Sequence, residues 1–128
     1  MKKILFDTDV LIEHLRGNKA VTKSLEDLIG KESFLAYTSI TEAEIYHGIK
    51  DNEEDRVRET LQLFRCLDIT QSVGRRAGMY LKKYAKSHGM DVADALIAAC
   101  SIENKLPLCT FNWKHYPMKD IERFEMER

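Results

Sequence analysis

Short apolar runs alternate along this chain with longer segments whose apolar residues recur every three or four positions. The first run, Ile4-Leu5-Phe6, contains no polar residue and ends at an acid, which is typical of a strand buried on both faces of a parallel sheet. Four later runs also predict strands, although Pro107 interrupts one of them. The predicted strands cover 4–6, 33–38, 67–70, 106–110 and 121–126, the last at a sheet edge.

The segments between these strands have helical spacing. Val10, Leu11 and Leu15 lie on one helix face, and the pattern stops at Gly17, a residue type that commonly follows a helix. The predicted helices cover 10–17, 18–29, 39–48, 51–67, 71–87 and 91–104. Alternating strands and helices predict an α/β fold with helices flanking a sheet, and ligands of such folds collect at the carboxyl ends of the strands.

Length and charge narrow the function classes. The chain has 128 residues, 44% of them hydrophobic and 32% charged, which fits one domain spanning 1–128 and excludes a disordered chain. The 20 Lys and Arg against 21 Asp and Glu give a net charge of -1, so uniform coating by nucleic acid is excluded. Any phosphate-bearing partner needs a local basic surface or a bound metal.

The cysteines and the apolar runs predict the compartment. Cys66, Cys100 and Cys109 are odd in number and form no C-x-x-C pair, which favours reduced thiols over a disulfide framework. No run approaches the roughly 18 to 20 apolar residues of a membrane helix, and Asp7 and Asp9 interrupt any signal-like N-terminus. We therefore expect a soluble, cytoplasmic protein without a membrane partner.

Three acids lie near predicted strand ends, and each also has an ordinary structural explanation. Asp7 directly follows the first strand and could cap the next helix. Glu44 belongs to Thr41-x-x-Glu44, which overlaps a second capping box that ends at Glu42, so at least one of the two glutamates is predicted to be free. Asp94 lies in a helix that is apolar nearly all round, where burial of an unpaired carboxylate is costly unless backbone N–H groups of the first turn compensate it.

Convergence of these acids at one sheet edge would require a cation. Two carboxylates about 4 to 5 Å apart repel by roughly 3 to 4 kcal/mol at an effective dielectric constant of 20. The sequence provides no Arg or Lys beside each acid. An all-oxygen set of this kind suits Mg²⁺ or Mn²⁺.

Four motifs in this order resemble those of the PIN-domain ribonucleases, and most of all the VapC-type toxins of toxin–antitoxin pairs. They are Ile4-Leu5-Phe6-Asp7-Thr8-Asp9-Val10-Leu11-Ile12, Thr41-x-x-Glu44 with Gly48, Asp94-Ala95-Leu96-Ile97-Ala98-Ala99 and Leu108-Cys109-Thr110-Phe111-Asn112. The resemblance implies a three-layer α/β/α sandwich on a mostly parallel sheet. It also implies an endoribonuclease that uses Mg²⁺ or Mn²⁺ to hydrolyse RNA phosphodiester bonds, a homodimer and a small antitoxin partner.

By position, the resemblance carries the family's three central acids over to Asp7, Glu44 and Asp94. We expect these to be catalytic, with Asp7 and Asp94 as metal ligands and Glu44 as a ligand or a base that orients water. Relatives usually carry a fourth acid at Asn112 or three residues later, where this chain has His115. Asn112 is included among the catalytic candidates as a neutral oxygen ligand. Secondary candidates near the site are Thr8, Asp9, Thr110 and His115.

A basic stripe is predicted on the long helix after residue 70. Residues 71–90 contain five Lys or Arg and no acid, which indicates either a solvated helix face or a contact with the RNA backbone. The candidate RNA-binding residues are Arg75, Arg76, Lys82, Lys83 and Lys86.

The sequence is also compatible with two other functions. A strand followed by Asp7-Thr8-Asp9 also resembles a haloacid-dehalogenase-like phosphatase with Asp7 as nucleophile, although the chain lacks that family's later Asp-Asp pair. The missing fourth acid instead favours a degenerate PIN-like binding module that no longer cleaves RNA.

Overall fold

A parallel four-stranded sheet forms the centre of the molecule in the computed structural model, which describes residues 2–128. Its strands are β1 (Lys3–Phe6), β2 (Phe34–Thr38), β3 (Arg65–Leu67) and β4 (Leu108–Cys109), in the spatial order β3-β2-β1-β4. Every strand pair is parallel. β1 lies in the middle and its Ile4, Leu5 and Phe6 are fully buried, because helices cover both faces of the sheet.

Six α-helices complete the three layers. They are α1 (Thr8–Leu15), α2 (Lys19–Gly30), α3 (Ser39–Gly48), α4 (Glu54–Leu61), α5 (Gln71–His88) and α6 (Val92–Glu103), with short 3-10 helices at Asp51–Glu53 and Trp113–His115. One apolar cluster joins α5 and α6 to the sheet, and a second joins α1 to α4 to its opposite face. Within residues 2–128, no helix combines the length and the apolarity that a membrane crossing requires.

The start of α3 differs from the expected capping boxes. Thr38, the last residue of β2, is the N-cap, and its hydroxyl accepts a hydrogen bond from the backbone N–H of Thr41 at 3.4 Å. Neither predicted box is used, because the helix begins one residue before the first of them. Glu42 instead accepts a hydrogen bond of 2.6 Å from the hydroxyl of Tyr37.

The strand expected over 106–110 covers only 108–109, and three larger differences from the predicted bounds have tertiary causes. The helix predicted over 51–67 ends at Leu61, because residues 65–67 pair with β2 as β3. The strand expected over 67–70 therefore lies two residues earlier. The strand predicted over 121–126 is reduced to a single bridge between Arg123 and Leu108, because β4 offers only two residues for pairing.

Candidate active site

Asp7 lies at the carboxyl end of the central strand and caps α1. Its Oδ1 accepts a hydrogen bond of 2.7 Å from the N–H of Thr8, the first residue of α1. Its Oδ2 accepts hydrogen bonds from the hydroxyls of Thr110 at 2.7 Å and Tyr116 at 2.9 Å. The side chain is buried, so both carboxylate oxygens are held by neutral donors.

Tyr116 connects this carboxylate to Asp94. The tyrosine is 1% exposed, and its hydroxyl lies 3.4 Å from Asp94 Oδ1 as well as 2.9 Å from Asp7 Oδ2. Asp94 belongs to the first turn of α6, where its Oδ2 accepts from the N–H of Asp91 at 3.2 Å in a capping box. Asp94 therefore has both the structural role considered for it and a position beside Asp7.

Burial makes ionisation of both acids unfavourable. Burial, followed by the charge of Asp9, raises the pKa of Asp7 to about 6. Burial also raises the pKa of Asp94 to about 6, with smaller contributions from the charges of Asp91 and Asp7. No Lys or Arg forms a salt bridge with either acid in residues 2–128. Neither carboxylate thus has a Lys or Arg that balances its charge in the described residues, and His115 Nδ1 lies 3.2 Å from Asp94 Oδ2.

Asp9 is a third acid of the same cluster. Its Oδ2 accepts a hydrogen bond from the N–H of Phe111 at 3.0 Å and lies 3.3 Å from Thr110 Oγ1, which donates its proton to Asp7 at 2.7 Å. Its Oδ1 is buried and has no hydrogen-bond partner in the described residues. Burial raises the pKa of Asp9. An unpartnered buried carboxylate oxygen is costly, and an oxygen-preferring cation would satisfy it.

Glu44 lies at the margin of this cluster. It is exposed on α3, and its Oε1 accepts a hydrogen bond of 2.7 Å from the hydroxyl of Thr8. The Thr41 hydroxyl lies 2.8 Å from that of Thr8, and donates to it when Thr8 donates to Glu44. The structure therefore connects Glu44 to Asp7 through Thr8, whose hydroxyl donates to Glu44 and whose backbone N–H donates to Asp7.

Asn112 and His115 contact each other where relatives usually carry the fourth acid. Asn112 Nδ2 lies 2.8 Å from His115 Nδ1, and the same ring nitrogen lies 3.2 Å from Asp94 Oδ2. The backbone N–H of Asn112 also donates to Thr110 Oγ1 at 3.1 Å. Both side chains thus adjoin the acid cluster, and His115 contacts one of its carboxylates directly.

The donor set fits a hard divalent cation only in part. Asp7, Asp9 and Asp94 offer oxygen ligands that form no salt bridge with Lys or Arg in the described residues, and Mg²⁺ and Mn²⁺ prefer oxygen ligands. In residues 2–128, however, no three His, Cys, Asp or Glu side chains form a complete metal site. A bound cation would accordingly draw the carboxylates closer to one another or take water molecules as further ligands.

The predicted basic residues of α5 differ in their contacts and exposure. Arg76 forms a salt bridge with Glu103, in which its Nε and one terminal nitrogen each lie 2.7 Å from the same carboxylate oxygen. Lys82, Lys83 and Lys86 are exposed.

Tyr116 is the site residue that the sequence did not single out for this role. The structure buries its side chain. The hydrophobic pattern cannot reveal the hydroxyl that contacts two acids, because a buried tyrosine and a buried phenylalanine occupy the same positions in such a pattern.

Comparison with known proteins agrees with this geometry. Residues 4–121 match the family model of the PIN domain. The chain is 38% identical over 116 residues to ribonuclease VapC10 of Mycobacterium tuberculosis, an alignment that covers 90% of this chain and 86% of the relative. It is 30% identical over 115 residues to ribonuclease VapC19 of the same organism, covering 89% and 92% respectively.

A solved structure is similar over the whole chain. A toxin–antitoxin complex from Klebsiella pneumoniae contains a chain that superposes with a TM-score of 0.78 at 26% identity, covering 97% of this chain and 100% of that one. The similarity confirms the expected α/β fold with a central parallel sheet. The matches leave the phosphatase alternative without support.

Proposed function

Because this chain belongs to the PIN-domain family and is VapC-like, we propose that it is a metal-dependent endoribonuclease and the toxin of a toxin–antitoxin pair. One observation supports the metal dependence. Asp7 and Asp94 share the hydroxyl of Tyr116, are both hard to ionise, and have no Lys or Arg partner in the described chain. A divalent cation supplies the missing positive charge.

In this proposal Asp7 and Asp94 hold Mg²⁺ or Mn²⁺, and Asp9 is a further candidate through its unpartnered Oδ1. The cation's chemistry would be to activate water and to stabilise the charge that develops on the phosphate during in-line attack. Its affinity would depend on pH, because the carboxylates must release their protons before they bind metal.

The hydroxyls around the acids fix their orientation. Thr110 and Tyr116 both donate to Oδ2 of Asp7, so that this oxygen cannot turn away from the site. Thr8 holds one oxygen of Glu44, which leaves the other to orient the attacking water or to take its proton. Asn112 and His115 stand where a fourth acid is usual, and His115 Nδ1 lies 3.2 Å from Asp94 Oδ2.

Cleavage of RNA by the purified chain tests the proposal. We expect single-stranded RNA to be cut with 5 mM Mg²⁺ or Mn²⁺, and not in chelator, and Asp94→Asn to lower the rate by about a hundredfold or more. Asp91→Asn removes the same charge three residues away and keeps a good N-cap, so it should remain active. Hydrolysis by water leaves the 2′-hydroxyl unused, so a 2′-deoxy substitution at the cut bond should still permit cleavage.

The opposite results support the other candidate function. Binding of RNA without cleavage in any divalent metal would indicate a degenerate binding module. Cleavage in chelator, or blockage by the 2′-deoxy substitution, would exclude the metal-dependent hydrolysis proposed here.

The assignment as a toxin rests on the family and on the similarity to a chain of a toxin–antitoxin complex. We expect its expression in bacteria to arrest growth, Asp94→Asn to remove that effect, and a small co-encoded protein to suppress it. Growth arrest by the Asp94→Asn variant would separate toxicity from catalysis. The predicted homodimer and cytoplasmic location are tested by sedimentation of the purified chain and by cell fractionation.

A further inference from the structure

Residues 122–128 lie beside β4, along the outer edge of the sheet, and we call them the strap. The backbone N–H of Leu108 donates to the carbonyl of Glu122 at 2.9 Å, and the N–H of Phe124 donates to the carbonyl of Leu108 at 2.9 Å. The bridge between the two segments is parallel. The strap therefore runs in the same direction as β4 and reaches the edge of the sheet where the acids lie.

The residues that follow β4, 110–116, contain four groups that contact the acids, and we call them the site loop. Two hydroxyls, one backbone N–H and one imidazole of this loop each lie against a carboxylate of the cluster. These groups belong to Thr110, Tyr116, Phe111 and His115. The position of the site loop therefore determines where the donors stand relative to the carboxylates.

Two arginines of the strap cover the two aromatic rings that flank Asn112. The guanidinium carbon of Arg123 lies 4.5 Å from the centre of the Trp113 ring, and that of Arg128 lies 5.3 Å from the centre of the Phe111 ring. Both distances are typical of cation–π contacts. Trp113 packs against the apolar cluster of α5 and α6, and Phe111 against that of α1 to α4. The strap thus contacts the site loop on both faces of the sheet.

A salt bridge also anchors Arg128 to α1. Its Nε and one terminal nitrogen lie 2.8 Å and 2.5 Å from Glu13 Oε1, and Glu13 lies one helical turn after Asp9. Phe111 connects Arg128 to Asp9, because Arg128 covers its ring while its backbone N–H donates to Asp9 Oδ2 at 3.0 Å. An exposed ion pair of this kind contributes little to the stability of a whole chain. Its loss should therefore displace the site loop without unfolding the protein.

We infer that Arg123 and Arg128 are positioning residues, which hold the site loop through its two aromatic rings so that its donors stay on the carboxylates. This inference rests on the proposed function, since the reaction that it serves is the cleavage assigned to those acids. The matched family model ends at residue 121, so the strap adds contacts that the matched region does not include.

The fluorescence of Trp113 tests whether the strap holds the site loop, because it is the one tryptophan of the chain. Arg128→Gln is compared with Arg65→Gln, which removes an arginine that lies 5.5 Å from the centre of the Phe34 ring, on β3. Acrylamide quenching is measured in chelator, and thermal melts confirm that both variants fold. We expect Arg128→Gln to raise the quenching constant by about half or more, because the site loop opens locally, and Arg65→Gln to leave it unchanged. Equal quenching of Arg128→Gln and the wild type would overturn the inference.

Cation affinity distinguishes positioning from an effect of charge alone. Burial raises the pKa of Asp9, and the charge of Arg128 is among the smaller contributions that lower it. Removal of that positive charge would by itself tighten the binding of Mn²⁺, whereas displacement of the groups that orient the carboxylates would weaken it. The two explanations therefore predict opposite signs for Arg128→Gln.

Mn²⁺ binding is measured without RNA, from the electron paramagnetic resonance signal of the free ion. We expect Arg128→Gln to bind Mn²⁺ about threefold more weakly and to lower kcat about threefold with little change in KM. Arg128→Lys keeps a cation over the ring and should restore both values. Tighter Mn²⁺ binding by Arg128→Gln, or equal losses in Arg65→Gln, would contradict positioning. A wild type that neither binds Mn²⁺ nor cleaves RNA would refute the proposed function, and the quenching experiment would still decide whether the strap holds the site loop.

Discussion

Replacement of Asp7 by asparagine should stabilise the metal-free protein at neutral pH. Burial raises the pKa of this carboxyl from 3.8 to about 6, and a difference of this size corresponds to about 3 kcal/mol that ionisation removes from folding stability. Asparagine is a neutral group of the same shape. Its amide oxygen can still accept from the N–H of Thr8, and the hydroxyls of Thr110 and Tyr116 can accept from its amide nitrogen. After allowing for the lost charge-assisted hydrogen bonds, we expect a gain of about 2 kcal/mol.

The sign of the pH dependence follows from the direction of the pKa shift. Because the folded state keeps the proton on Asp7 to a higher pH than the unfolded state does, the stabilising contribution of the protonated carboxyl is fully present below about pH 4. It is lost as the pH rises through about 6. The wild type should therefore lose stability relative to Asp7→Asn between these values, and the difference should be constant above about pH 7.

Urea unfolding in chelator at pH 4.5, 6 and 7.5 measures this difference. Asp27→Asn, at an exposed position of α2, is the matched control and should change stability by less than about 0.5 kcal/mol. Addition of 10 mM Mg²⁺ should shrink or reverse the advantage of Asp7→Asn. A lower stability of Asp7→Asn than of the wild type at pH 7.5 in chelator, or a difference that does not depend on pH, would show that burial of the Asp7 charge does not destabilise the fold.

Three further substitutions have defined outcomes. Tyr116→Phe removes a hydroxyl that donates to Asp7. It should lower the free energy of unfolding by about 1 to 2 kcal/mol in urea at pH 7.5 and lower the cleavage rate about tenfold. Unchanged cleavage would show that this hydroxyl does not position the acid. Thr8→Val removes the hydroxyl that holds Glu44, so we expect kcat to fall more than KM rises, and the reverse pattern would assign Thr8 to RNA binding. Ile97→Ala leaves a cavity at a core position of α6 that is 1% exposed, and should lower the free energy of unfolding by about 2 to 5 kcal/mol. A decrease below 1 kcal/mol in the same unfolding assay would mean that neighbouring side chains fill the cavity.

The central strands could be predicted because their burial is encoded in uninterrupted apolar runs. β1 and β2 agree with the prediction to within a residue. The end of α4 could not be predicted in this way, because residues 62–67 have a helical pattern, and only backbone pairing with β2 draws 65–67 into the sheet. The segment 121–126 failed for the converse reason, since a strand pattern forms no strand without a partner of matching length.

In the candidate site, too, local sequence patterns predict some residues, and contacts between distant parts of the chain decide the others. Asp7 and Asp94 were predicted from their places after a strand and in an apolar helix, and the structure brings them to one hydroxyl. Tyr116 supplies that hydroxyl from far along the chain, a contact that no local pattern encodes. Glu44 was predicted as either a cap or a site residue, and its actual partner, the Thr8 hydroxyl, lies 36 positions away in sequence.

Metal-dependent stabilisation tests most directly whether these acids form a cation site. The melting temperature of the wild type is measured in chelator and in 10 mM Mg²⁺ or Mn²⁺, beside Asp94→Asn and the matched control Asp91→Asn. With a dissociation constant of about 1 mM, binding adds about 1.4 kcal/mol, which raises the melting temperature of a chain of this length by about 5 °C. Our account predicts that rise for the wild type and for Asp91→Asn, and the loss of most of it in Asp94→Asn. A wild-type melting temperature that responds to neither metal would contradict it.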